Sequence, residues 1–153
     1  MLQAKIITFL MAMVPVIELR GAIPYGVVAG LSVPTAFVLA VIGNLVPIPV
    51  LVVFTRKVFE WLRTKSNGLD SFVSRLEAKA EKKKDIVLKY EFLGLMILVA
   101  IPLPGTGAWT GALVAAMMDM RLKRAMPAII IGVLIAGIIV TTVTYGAGAL
   151  LSL

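Results

Sequence analysis

Apolar residues in this chain gather in four uncharged blocks, 6–17, 21–55, 92–118 and 125–153, of 12, 35, 27 and 29 residues. A helix needs about 20 apolar residues to cross a bilayer, and two segments, 34–55 and 126–149, predict uninterrupted spans. The other blocks are broken. Residues 6–17 reach only about 18 Å as a helix, and Pro15 and Gly21 lie beside Glu18 and Arg20, the charges that end the run. In 91–118 the segment Ile101-Pro102-Leu103-Pro104-Gly105-Thr106-Gly107 lacks two backbone donors and carries two flexible glycines. A continuous helix cannot pass through it cheaply. Both regions predict re-entrant hairpins, whose irregular tips are tolerated at membrane depth only inside protein or beside a watery cavity.

Hairpin then span occurs twice: hairpin 4–32 with span 34–55, and hairpin 91–118 with span 126–149. An offset of 86 sets Gly21-Ala22 on Gly107-Ala108 and Val27-Val28-Ala29 on Leu113-Val114-Ala115, while Pro34 and Pro127 each open the following span. A hairpin returns to its own side and a span crosses, so the second half starts on the opposite side and runs inverted. The expected fold is an all-α integral membrane protein, one domain over 1–153. It is an inverted repeat of re-entrant helical hairpin plus transmembrane helix, its halves 1–55 and 91–153 joined by a connector, 56–90.

Charge orients this plan. Residues 56–91 hold ten basic and six acidic side chains, and Arg121, Lys123 and Arg124 follow the second hairpin. With 92–118 re-entrant, both basic regions lie on the cytoplasmic side, as the positive-inside rule prefers. Both termini are then outside with only Lys5. Asn67-Gly68 reads as a turn, and Leu69, Phe72, Val73, Leu76 and Ala80 follow with helical spacing beside Lys79, Lys82, Lys83 and Lys84. This segment is either an amphipathic helix on anionic lipid or a solvated charged link between the halves.

Composition agrees: 153 residues, 60% hydrophobic, mean hydropathy +1.03, well above a soluble domain. The net charge of +7 lies mostly in connector and loop, with long stretches almost free of charge, which excludes a basic nucleic-acid binder. Without cysteine or histidine there is no disulfide framework, thiolate metal site, cysteine nucleophile or imidazole base. The first apolar run leads into Glu18 and Arg20 rather than a cleavage site, so no removable signal peptide is expected. Asp119 lacks a His, Cys or acidic partner in the sequence around it, so no enzyme and no cofactor are expected.

Glu18 and Arg20 are the main candidates for chemistry, because each costs about 2.5–3.5 kcal/mol at the centre of a spanning helix. Functionally, Glu18 is a proton or cation site and Arg20 an anion anchor with forked donors; structurally, the two form an ion pair that closes the tip. Residues i and i+2 do not face each other on a helix, so that pair needs an irregular tip. The second tip, Pro104, Gly105, Thr106, Gly107, Trp109 and Thr110, exposes backbone N–H groups suited to an anion, or is a tight turn that lets helices pack closely. It lacks the lysine and spacing of a P-loop. Asn44, near Pro47 and Pro49 in mid-span, bonds a neighbouring helix or touches substrate. Thr141, Thr142 and Thr144 bond back to their own helix.

Glu18-Leu19-Arg20-Gly21-Ala22-Ile23-Pro24, followed at a distance by Pro102-Leu103-Pro104-Gly105-Thr106-Gly107-Ala108-Trp109, resembles the small multidrug export protein family over nearly the whole chain. That family looks like a compact relative of the DedA, or SNARE-associated (VTT), membrane proteins. The resemblance implies paired re-entrant hairpins and a homodimer in a prokaryotic inner membrane. On the DedA side it implies movement of polyprenyl-phosphate carriers with proton or sodium coupling. Glu18, Arg20 and the Pro104-Gly105 turn are the positions carried over. DedA proteins usually have an acidic residue after the turn and arginines in the second hairpin, whereas here Thr106 follows the turn and Arg20 is in the first. The leading expectation is thus a transporter of an anionic lipid phosphate. The alternatives are an exporter of lipophilic cations, with Glu18 binding proton or drug, and a non-transporting scaffold.

Single cysteines replacing Gln3, Ala80, Arg121 and Ser152 test the topology by impermeant labelling. Positions 80 and 121 are expected to label from the cytoplasmic side and 3 and 152 from outside; labelling of 121 from outside defeats the inverted arrangement.

Overall fold

The computed structural model describes residues 1–65 and 84–146. The regular elements there are seven helices: α1 (Leu2–Met13), α2 (Glu18–Val28), α3 (Val33–Leu45), α4 (Ile48–Lys65), α5 (Lys84–Ala100), α6 (Ala108–Met117) and α7 (Leu122–Tyr145). The amphipathic reading of 69–80 and its lysines lies outside the described residues.

Prolines and glycines set the boundaries. Val14, before Pro15, is extended at φ −79° and ψ 129°, as proline requires of its predecessor, so α1 stops there. Pro102 and Pro104 separate α5 from α6, with Gly105 at φ 85° and Gly107 at φ 113°. The predicted first span differs from expectation: residues 46–47 form a turn, so 34–55 is two helices, and α4 runs on to Lys65. Pro47 and Pro49 supply no N–H to carbonyls four residues earlier, which breaks the ladder there. The second span begins at Leu122, earlier than the expected 126, and Pro127 lies inside α7, where it removes the N–H that would bond the Lys123 carbonyl. Gly146 at φ 81° ends α7.

Two helical stretches, Val33–Val58 (α3 with most of α4) and Leu122–Tyr145, are long and apolar enough to cross a membrane. α1, α2 and α6 have 12, 11 and 10 residues, about 18 Å or less, and each falls short of a hydrocarbon layer of about 30 Å.

Packing is close because the interior is built from small residues. α1, α2 and α3 pack on one another, α5 on α7 and α4 on α6, and α7 meets both α2 and α3. The core includes Ala12, Ala22, Ala36, Ala40, Ala108, Ala112, Ala115, Ala125, Ala128 and Ala136. Gly43 sits against the Phe9 carbonyl and Ala12, Gly132 against Val99 and the Met96 carbonyl, and Gly137 against the Phe37 ring. Large apolar side chains face outward instead: Ile6 and Leu10 on α1, Val38 and Ile42 on α3, Val50 and Phe54 on α4, Leu93 and Ile97 on α5, Leu134 and Ile138 on α7. Small residues inside and large ones outside is the pattern of helices that associate in lipid, where burying another leucine gains little and close backbone approach gains more.

Two glycines test this packing by thermal unfolding in detergent. Gly43→Ala pushes a methyl group onto the Phe9 carbonyl and is expected to cost about 1–3 kcal/mol. Gly94→Ala meets nothing within 4 Å and is expected to be neutral or to stabilise by up to about 1 kcal/mol through helix propensity.

Candidate functional site

Polar contacts made by residues at and beside the two interrupted segments, 14–17 and 101–107, tie one to the other, while Val14, Val16, Ile101 and Leu103 themselves are exposed. The first segment turns sharply enough that Val16 and Glu18 both take left-handed backbone, at φ 79° and 48°. For a β-branched valine this is a strained conformation. It begins α2 with the Glu18 side chain turned inward, only 5% exposed.

Glu18 does not pair with Arg20: no nitrogen of Arg20 lies within 4.0 Å of its carboxylate, so the tip-closing ion pair is absent. The Glu18 carboxylate instead accepts the Trp109 backbone N–H at 3.2 Å, in the first turn of α6. A carboxylate there is favoured by the free N–H groups and by the helix dipole. Of the tip N–H groups expected to cradle a substrate anion, that of Trp109 is therefore taken by the protein's own acid. Gly107 is required by the same contact. It has φ 113° and ψ −169°, a region open essentially to glycine alone, and a Cβ there would overlap the Glu18 carboxylate.

Arg20 performs the complementary task. Its Nε and Nη2 donate to the Val16 carbonyl at 3.0 and 2.6 Å, and Nη1 donates to the Leu103 carbonyl at 2.6 Å. One guanidinium thus satisfies carbonyls from both breaks and ties one to the other. Three of its five N–H groups are engaged. The Trp109 indole N–H adds a third tie, to the Met13 carbonyl at 3.1 Å. Within the second tip, the Thr106 hydroxyl lies against the Ile101 and Leu103 carbonyls and accepts the Leu103 N–H, and the Thr110 hydroxyl donates to the Gly105 carbonyl at 3.0 Å.

A small cavity lies beside these contacts, with about 10 Å³ open to the centre of a water-sized group. Glu18, Arg20, Asn44, Pro102, Thr106 and Gly107 line it, with Leu19, Val99, Ala108, Val133 and Ala136 as apolar walls. Asn44 is 1% exposed, and neither its Oδ1 nor its Nδ2 has a hydrogen-bond partner. The expected bond to a neighbouring helix is not made. Thr141 also departs from expectation, its buried Oγ1 having no partner, whereas Thr142 does bond back to Ile138 at 2.8 Å. Gly21 packs on Ile17, and Pro104 and Gly105 are exposed in the turn; none of the three lines the cavity.

Sequence reasoning missed the walls Val99, Val133 and Ala136, which carry no chemical signal. It also missed the carbonyls of Met13, Val16 and Leu103. Pro15, Pro102 and Pro104 were the available signals for these, since each proline marks a break at which nearby carbonyls lack helix donors.

The family model described as "Putative small multi-drug export protein" matches residues 18–139. The match begins at Glu18 and includes the cavity, and the chain belongs to that family. No curated protein and no solved structure matches the chain. An export family of this kind is a membrane transport family, not a class of enzymes.

The two tip glycines separate local strain from the contact with Glu18. Gly105→Ala has free space for its methyl group and is expected to cost about 1–2 kcal/mol for the left-handed backbone alone. Gly107→Ala adds a clash with the carboxylate and is expected to cost about 2–5 kcal/mol. Thermal unfolding measures both; equal losses rule out the close approach of Glu18 to Gly107.

Proposed function

We propose that this member of the small multi-drug export family is a transporter whose substrate site lies at the junction of its two interrupted segments, with Glu18 as the group that exchanges during transport. The observation that carries this reading is a buried carboxylate with no ion-pair partner, held by backbone N–H in the first turn of α6. A charge placed so deep is costly, and a role confined to capping α6 needs none, because a neutral serine or asparagine serves that purpose.

Electrostatics supports an anionic substrate. Arg20 contributes one positive charge and the α6 N-terminus about half of one. With Glu18 ionised the junction sums to about +0.5, and with Glu18 neutral to about +1.5. An anionic lipid phosphate fits this balance, its tails remaining in the bilayer while the head group crosses. The inverted arrangement of two re-entrant hairpins, with connector 56–90 cytoplasmic and proton or sodium coupling at Glu18, completes the proposal. A second copy helps enclose the polar tips, because only two stretches of the described chain are long enough to cross the membrane.

The family description favours a second reading, export of lipophilic cations at Glu18. Engagement of Arg20 by two carbonyls weakens its repulsion of such a cation without removing it.

The test is flux from liposomes of a polyprenyl phosphate and of a cationic dye across a pH series. Glu18→Gln is expected to fold and to lose the dependence of flux on pH or sodium. Arg20→Lys is expected to carry the phosphate about tenfold more slowly, since an ammonium lacks the fork. Because the two side chains do not pair, stability losses in Glu18→Gln/Arg20→Lys are expected to add. Rescue in the double variant supports the scaffold reading instead, and dye flux without phosphate flux supports the cation reading.

A further inference from the structure

We propose that Glu18 is the built-in occupant of an oxyanion site, formed by the Trp109 backbone N–H, the Asn44 side-chain amide and the unengaged N–H groups of Arg20, so that substrate and carboxylate compete for the same donors. This deepens the transport reading and rests on it. Three observations carry the competition. The Trp109 N–H in the first turn of α6 is taken by Glu18 at 3.2 Å. Two N–H groups of Arg20 remain beyond the three bonded to carbonyls. Asn44 lines the same cavity with both polar atoms unpartnered at 1% exposure, and a buried amide without partners is rare because leaving it so costs free energy.

The geometry fixes what must leave before an oxyanion enters. The cavity has room for about one water-sized group, too little for a phosphate or sulfate beside the carboxylate. An ionised Glu18 also repels the same anion that Arg20 and the helix N-terminus attract. Protonation removes that repulsion and weakens the hold of Glu18 on the Trp109 N–H, since a charged acceptor bonds about twice as strongly as a neutral one. Anion entry is therefore linked to proton uptake. The proton resides on Glu18, and no covalent bond is made or broken.

Arg20 is the one other charged group lining the cavity. On the described elements packed against α2, α1 carries Lys5, and α7 carries Lys123 and Arg124 at its start and Tyr145 at its end, whose hydroxyl donates to the Pro24 carbonyl. α3 has no ionisable side chain, and α6 has none either. Glu18 is the one carboxyl group among the residues that line the cavity.

Calorimetry on the full chain in nanodiscs tests this with two probes: inorganic sulfate, whose charge is constant from pH 5 to 8 and which samples a free oxyanion, and an alkyl sulfonate, which samples a head group anchored in lipid. Wild type is expected to bind at least one probe about tenfold more tightly at pH 5 than at pH 8. Glu18→Gln, with a neutral amide as a weaker rival, is expected to bind at pH 8 as wild type does at pH 5, with a flat pH profile. Asn44→Leu in the Glu18→Gln background is expected to weaken binding about tenfold, and Asn44→Asp, which keeps the shape but repels an anion, to weaken it further, with thermal unfolding of each variant separating a lost contact from a lost fold. Binding of the sulfonate without sulfate identifies a lipid head group, and the reverse a soluble anion. Equal affinities of wild type and Glu18→Gln at pH 8, or no effect of either Asn44 change, overturns the inference even where wild-type flux is intact. Tight, Glu18-limited binding with no flux keeps the site and removes the transport reading.

Discussion

A helix interrupted inside an apolar layer leaves N–H and C=O groups with no partner and no water to replace it, at several kcal/mol for each group. Two breaks in the helical chain are present here, and each answers the other. Arg20 donates to carbonyls of both breaks, Glu18 accepts from the start of α6, and the Trp109 indole reaches back to Met13. Neither charged side chain is used mainly to neutralise the other. Each serves unsatisfied backbone, which is why they sit two residues apart without forming a pair.

That division also explains the glycines and alanines around the junction. Backbone can be served by side chains from another segment only where the segments approach closely, and a Cβ at Gly107 would displace the carboxylate. The same closeness extends outward through Gly43, Gly132 and Gly137. Many bulky apolar residues face outward, while Ile23, Ile48 and Ile129 fill the interior between the close-packed backbones.

A junction held by hydrogen bonds to backbone can change state more readily than one held by interlocked side chains. Glu18 holds the first turn of α6 through backbone N–H, while the strained Val16 and Glu18 backbone lies next to it. A change in the charge of one carboxyl group therefore acts directly on one of the ties between the two breaks. The tie between Arg56 on α4 and Asp119, 2.5 Å apart in the turn after α6, is more exposed, and surface pairs of this kind contribute little.

The sequence by itself determined the membrane environment, the all-helical class, both breaks and the two charges that had to be sheltered, because apolar run length and proline chemistry are local properties. It also placed the turn chemistry at Pro104-Gly105. Partners were beyond its reach. That Arg20 serves Val16 and Leu103, 83 residues away along the chain, that Glu18 fills the expected anion cradle, and that Asn44 is left without a bond all depend on how α2, α3 and α6 converge. Tertiary structure decided these points, since a hydrogen bond between distant segments leaves no periodic signal in either one, and many partners of a buried polar group are backbone atoms that every residue carries.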